Sequence, residues 1–246
     1  MDMKDLTVAV QCGGSDWTTA LTGNVSVGIM ADHIVENGGA VVMSEIGGLP
    51  GSEHIVASKA VTREVGLQIL DMVEERRAKY LALNGHTIEE VNPTPGNKAG
   101  GITTLVEKST GNIKKIGSCK VNGVLNLYDR IPGPGVWFLN HRTVGLDEIN
   151  MTAFALSGVH ILVFCSGLGT PVGHACMPCI KLTGNPDNYR KVRSLFDFNA
   201  GQALEGKSLD QVGQELFDLL IDVVEGKETQ SEKNGNQEFL ILIPTL

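Results

Sequence analysis

No run of lysine or arginine occurs anywhere in this chain, and its 28 acidic residues outnumber the 20 basic ones, leaving a formal charge of -8. With a pI near 5.2, that balance argues against a nucleic acid or an acidic membrane surface as partner and favours a small molecule. No stretch approaches the length of a membrane span, and the start, MDMKDLTVAV, carries acid where a secretory leader would carry positive charge. A cytoplasmic location is the expectation. The five cysteines, Cys12, Cys119, Cys165, Cys176 and Cys179, are an odd number at irregular spacing, unlike a secreted disulfide framework. They are expected to be thiols. CMPC holds Cys176 and Cys179, but a structural zinc needs a second ligand pair, and no second C-x-x-C exists. A thiol or iron-sulfur reading would require Cys12, far away in sequence, to converge on that pair. No repeat and no linker divides the chain, so one domain over residues 1–246 is expected.

What is present is a β-α-β pattern in a chain that is 42% hydrophobic, ample for a buried core. Leu6 to Val10 reads as a strand running into QCGGSD, Val25 to Glu36 as a helix ended by Gly38 and Gly39, and Ala40 to Met43 as a short buried strand. Val61, Val65, Ile69 and Val73 recur every four residues in a helix that reaches Asn84 and Gly85. Further on, Val136 to Leu139 and Val159 to Phe164 read as strands and Asp147 to Leu156 as a helix. The segment from Val121 to Tyr128 has no assignable pattern. Ser208 with Gln211 forms a capping box ahead of the stripe Leu209, Val212, Leu216, Leu219, Leu220 and Val223. A last apolar run covers Phe239 to Ile243. The pattern predicts an α/β fold, a mainly parallel sheet flanked by helices in Rossmann-like layers.

Ligands of such sheets bind beyond the carboxyl ends of the strands. That rule selects Gln11, Cys12, Ser15 and Asp16 after the first strand, Ser44 and Glu45 after the second, Asn140 and His141 after VWFL, and Cys165, Ser166 and the turn GLGT after VHILVF. Each has a plainer reading: the glycines can serve tight turns, Glu45 can be a solvated loop acid, and His54 beside Glu53 can cap a helix. The stretch NPTPGNKAGGITTLVEKSTG, residues 92–111, reads as a long polar loop without regular structure, and such loops are usually functional or disordered. It carries Asn97, Lys98, Thr103, Thr104, Glu107 and Lys108. A lysine with a depressed pKa can remove a proton from carbon next to a carboxylate, and paired lysines with hydroxyls can clamp that carboxylate. A binding loop is the expectation.

Taken in order, QCGGSD, GSEHIVASKA, NPTPGNKAGGITTLVEKSTG, SGLGTPVG, IKLTGN, DFNAG and the closing NGNQEF resemble the C-terminal portion of the altronate dehydratase / galactarate dehydratase family, from about Leu6 to Phe239. The resemblance implies a lyase that removes water from a sugar acid to give a 2-keto-3-deoxy acid, assisted by a divalent metal, Fe(II) or Mn(II). A sulfolactate sulfo-lyase branch eliminates sulfite by the same logic. The matching blocks fall on Cys12, Ser15, Asp16, Glu45, Glu53, His54, Asn97, Lys98, Thr103, Thr104, Glu107, Lys108 and Lys181. The sequence leaves base and acid open among them; the working expectation is Lys98 as base, with Glu45, His54, Glu107 and Lys108 in the chemistry and Ser15, Asp16, Asn97, Thr103, Thr104 and Lys181 on the substrate. Cys12, Glu53 and His54 would hold the metal. One departure stands out: FLNHRTVG replaces the family's Met-Asp-x-Pro-Gly turn, so an aspartate is lost at about Asn140. Family members also carry a small N-terminal domain and a central domain, so a missing domain or partner subunit is expected, and a homo-oligomer is compatible. A non-catalytic binding or regulatory module is the competing reading.

Overall fold

Along the first strand Val8, Val10 and Cys12 join one buried cluster while Ala9 joins another on the opposite side. This period-two alternation with apolar residues on both faces is what a sheet covered on both sides requires. The computed structural model describes residues 2–141 and 147–240. Seven strands, β1 (Thr7–Cys12), β2 (Ala40–Met43), β3 (Val121–Asn126), β4 (Gly135–Asn140), β5 (Ile161–Cys165), β6 (Cys179–Thr183) and β7 (Phe198–Asn199), form one sheet in the order β3-β4-β2-β1-β5-β6-β7. Every pairing is parallel. The chain builds leftward from β1 through β2 and then crosses back to β5, which makes β1 the topological switch.

The helices are α1 (Asn24–Glu36), α2 (Glu53–Ser58), α3 (Arg63–Asn84), α4 (Ile88–Val91), α5 (Pro95–Ala99), α6 (Leu105–Asn112), α7 (Asp147–Leu156), α8 (Pro186–Lys191), α9 (Leu209–Val224) and α10 (Gln230–Lys233). The larger cluster packs α1, α3 and α9 on the sheet, and the smaller one places Met151, Ala153 and Phe154 of α7 on the other face. The α3 helix begins at the Thr62 cap, whose side chain accepts from Val65 N, and stops at Gly85, which takes the left-handed conformation at φ 74°.

The expected strands and long helices are present, with boundaries displaced by a residue or two. The 92–111 segment differs. It is built of α5 and α6, each opened by a capping box, Thr94 with Asn97 and Thr104 with Glu107. Its hydroxyls and glutamate, which suggest a ligand loop, satisfy helix-end amides instead. Val121 to Asn126 forms the edge strand β3, whose register with β4 shifts between Val121 and Gly123. Cys179 is the first residue of β6, so CMPC runs into a buried strand rather than opening a helix. The FLNHRTVG turn and the end of the last apolar run fall in part on residues 142–146 and 241–246, outside the described residues.

Candidate functional site

A cavity of about 580 Å³ opens at the carboxyl ends of β1, β2 and β4. Its volume suits a sugar-sized ligand. Cys12, Gly13 and Gly14 leave β1, Ser44 and Glu45 leave β2, and His141 follows β4, while α6 contributes Lys108 and Asn112, α3 contributes Arg76, and α7 contributes Asp147 and Asn150. The carboxyl-end rule therefore locates the cavity, on the β2 side of the switch strand, and Cys165, Ser166 and the GLGT turn after β5 do not line it.

Five charged groups define its chemistry. Asp147 stands at the first turn of α7, where burial first and the charge of Glu45 second push its carboxyl up to about 6. The Nε2 of Gln11 donates to its Oδ1 at 2.9 Å. Glu45 accepts from Cys12 N at 3.0 Å and from Cys12 Sγ at 3.3 Å, and it pairs with Lys115, whose side chain is fully buried. Lys115 Nζ also donates to Cys12 Sγ at 2.9 Å and to Asn112 Oδ1. Burial opposes the Lys115 charge, but Cys12 and Glu45 together hold its ammonium above the ordinary lysine range. Burial, reinforced by Glu45, pushes the Cys12 thiol up. The favoured arrangement is an ion pair beside a neutral thiol.

The cations facing the cavity are Lys108 and Arg76. Lys108 Nζ donates to Asn92 Oδ1 at 2.8 Å and Asn97 Oδ1 at 2.9 Å. Burial lowers its pKa, with Cys12, Glu45 and Asp147 pulling the other way. Arg76 is buried on the stripe of α3 that carries Ile69 and Val73, and desolvation lowers it to about 10. His141 is buried, with Nε2 2.7 Å from Asn150 Oδ1. Burial and the neighbouring Arg76 hold it down at about 4, so the ring is neutral at pH 7.

The residues expected from sequence divide into two sets. Cys12, Glu45, Asn97 and Lys108 come together at the cavity. Lys98 is exposed and does not line it, because the α5 turn that presents Asn97 inward turns the next side chain outward. Thr103, Thr104 and Glu107 are exposed, and Glu107 Oε2 accepts from Thr103 N, Thr103 Oγ1 and Thr104 N. Asp16 is consumed by Thr18, Thr19 and Asn185. Ser15 is buried and offers its carbonyl to Asn97 Nδ2 at 2.8 Å. Lys181 Nζ is held by the carbonyls of Thr170 and Pro171 at 3.2 and 3.4 Å, beyond β5.

The expected metal set does not assemble. Glu53 pairs with Arg77 at 3.0 Å and His54 is exposed, while Cys12 belongs to the Lys115 cluster. Among the described residues no three His, Cys, Asp or Glu side chains are grouped to hold an ion, so the residues present do not fit the expected Fe(II) or Mn(II) as a set. The thiol reading gains no cluster either: Cys176 is exposed, Cys179 is buried with its thiol pushed up to about 12 by desolvation, and all five cysteines are unpaired.

Sequence reasoning missed Asp147, Arg76 and Lys115. Arg76 lies seven residues beyond Ile69 and three beyond Val73, which is the spacing of the buried stripe, so its position was readable.

Comparison with known proteins agrees with the motif resemblance. Residues 3–245 match the family described as D-galactarate/Altronate dehydratase, C-terminal. Altronate dehydratase of Escherichia coli (strain K12) is 34% identical over 239 residues, covering 97% of this chain and 47% of that protein. Galactarate dehydratase (L-threo-forming) of the same organism is 35% identical over 226 residues, 92% of this chain and 42% of that protein. The (2R)-sulfolactate sulfo-lyase subunit beta of Chromohalobacter salexigens is 33% identical over 242 residues, 98% of this chain and 62% of that protein. This chain thus spans about half the length of the curated relatives it matches. No helix among the described residues is long and apolar enough to cross a membrane. The chain belongs to the family described as D-galactarate/altronate dehydratase, C-terminal.

Proposed function

We propose that the cavity binds a sugar acid such as altronate or galactarate and eliminates water from it, giving a 2-keto-3-deoxy acid. The observation that carries this reading is Asp147, a carboxylate held near pH 6 that shares the cavity with Glu45 and Lys108. In its ionised form it takes the proton from the carbon next to the substrate carboxylate. Arg76 and Lys108 hold that carboxylate and the negative charge that develops on it. Lys108, its ammonium weakened by burial, gives a proton to the departing hydroxyl, which leaves as water. The resulting enol becomes the keto acid by taking a proton at the adjacent carbon. Glu45, fixed by Lys115, raises Asp147 toward neutral pH and so keeps the base strong.

No step is routed through a metal, since the expected ligands do not come together. A divalent ion remains part of the proposal as an addition to test. The coverage of the relatives supports a companion domain or subunit that completes the cavity, and self-association and a cytoplasmic setting belong to the same proposal. A second reading, elimination of sulfite from a sulfolactate, is supported by the relative named as a sulfo-lyase subunit beta, of which this chain spans the largest share.

The test is keto-acid formation from altronate, galactarate and sulfolactate, each with and without Fe(II) or Mn(II). Turnover that disappears in Asp147→Asn is expected, and the substrate consumed separates the two readings. A folded chain that binds sugar acids but never releases a keto acid, with or without its companion polypeptide, would establish a binding module and overturn the lyase reading.

A further inference from the structure

Gln11 is an odd residue for its position. It follows Val8, Ala9 and Val10 on the central strand, pairs in register with Phe164 and is fully buried. Burying an amide in an apolar layer is unfavourable unless hydrogen bonds replace the lost water. Here they do so in one direction only: Nε2 donates to Asp147 Oδ1 at 2.9 Å and lies 3.4 Å from the Asp147 carbonyl, while Oε1 has no partner among the described residues. The strand alternation explains the aim. Cys12 points to the side of Glu45 and Lys115, so Gln11 points to the α7 side, where Asp147 begins its helix.

The other oxygen of Asp147 is placed by an absence. A β-carbon on Gly13 would overlap Asp147 Oδ2 and come within 2.9 Å of Phe164 Cζ, so the bare α-carbon is the seat for that oxygen. Among the described residues no hydrogen-bond donor reaches Oδ2. Among the described residues the carboxylate is thus tied at one oxygen and open at the other.

We infer that Gln11 and Gly13 are positioning residues that fix Asp147 so that Oδ2 is the atom presented to substrate. This rests on the proposed base role of Asp147 and deepens it. A donor on Oδ1 favours the ionised carboxylate, and locking the side chain removes rotamer freedom that the reaction would otherwise have to freeze. Among the described residues Asp147 is influenced by Glu45 from the β2 loop, Glu148 from its own helix and Lys108 from α6, and it shares the cavity with Arg76 from α3 and His141 after β4; substitutions at positions 11 and 13 leave all five side chains in place.

The experiment follows the Asp147 side-chain carboxyl by ¹³C NMR titration of the full chain, in parallel with steady-state kinetics, for wild type, Gln11→Met, Gly13→Ala and Asp147→Asn, with circular dichroism to verify folding. Gln11→Met, nearly isosteric and without a donor, is expected to move the Asp147 midpoint and the acidic limb of the kcat profile to higher pH and to lower kcat roughly tenfold with KM changed less than about twofold. Gly13→Ala, which displaces Oδ2, is expected to lower kcat further; if Gln11→Met does not fold, this variant and the wild-type titration decide. An Asp147 midpoint and kcat in the folded variants equal to wild type, with Asp147→Asn inactive, would overturn the positioning role and leave the base intact. An active Asp147→Asn would instead overturn the base reading itself.

Discussion

Two regions of the same sheet bury charge in opposite ways. At the β5-β6-β7 side, Lys181 gives its ammonium hydrogens to two loop carbonyls, its backbone N–H donates to Asp197 Oδ2 at 2.7 Å, and Asp197 Oδ1 accepts from Gln230 N at 2.7 Å. Those groups fasten one loop to the next. At the β1-β2-β4 side, Glu45, Asp147, Lys108 and Arg76 converge on a space that could admit a ligand. Desolvation acts in both places, but the second set lines the cavity. Burial of a charge is therefore no sign of chemistry by itself; a buried charge that faces an accessible volume is.

The largest expected effect falls on that second set. Asp147→Asn should lower turnover by about 10² to 10⁴-fold, the range for removing a general base, while the urea midpoint at pH 8 stays the same or rises. The sign of the stability change follows from linkage. The folded-state value of about 6 lies above the unfolded one, so the folded state holds its proton more tightly and this group's contribution to stability falls as pH rises from about 4 to about 6. Asparagine removes that dependence, which a urea series between pH 4 and 8 would reveal. Activity moves the other way, since the base must be ionised: the acidic limb of kcat should turn near pH 6 in the wild type.

Next in size is Lys115→Met, which leaves Glu45 without its partner and should cost about 3–5 kcal/mol in urea unfolding. Breaking the contrast from the other side, Lys181→Ala should cost about 1–3 kcal/mol and leave sugar-acid affinity by calorimetry unchanged. Loss of binding there would erase the distinction between the two regions. The smallest effect is expected at Lys98, exposed and outside the cavity: Lys98→Ala should change neither kcat nor the melting temperature measurably.

The strands β1, β2, β4 and β5 were legible because they obey simple rules, short apolar runs with glycine stops and helices of regular period between them, whereas β3, β6 and β7, short or interrupted by polar residues, were not. Lys98 and Lys108 show where such rules fail for a site. Both are lysines in one polar segment, and sequence composition treats them alike. The Thr94 and Thr104 capping boxes decide the outcome, since they fix the phase of α5 and α6 and so turn Lys98 out and Lys108 in. Those boxes were readable as T-x-x-N and T-x-x-E. Asp147 was hidden for a different reason. As the first acid of a helix it reads as a favourable dipole partner, while its pKa is raised by burial and by Glu45, against the donor Gln11, and its place is set by Gln11 and Gly13, residues all more than a hundred positions away in the chain. Lys115, between Ile113 and Ile116, is buried where its turn packs on α1 and meets Cys12 and Glu45.

The most direct test of the central claim is exchange of the substrate α-proton with solvent, followed by proton NMR in D₂O for wild type and Asp147→Asn with altronate and galactarate, since proton removal can be seen even where the full elimination needs a companion polypeptide. The account predicts exchange in the wild type, dependent on a group titrating near pH 6, and none above background in the variant. Equal exchange in both would contradict it, and the base would have to be sought elsewhere.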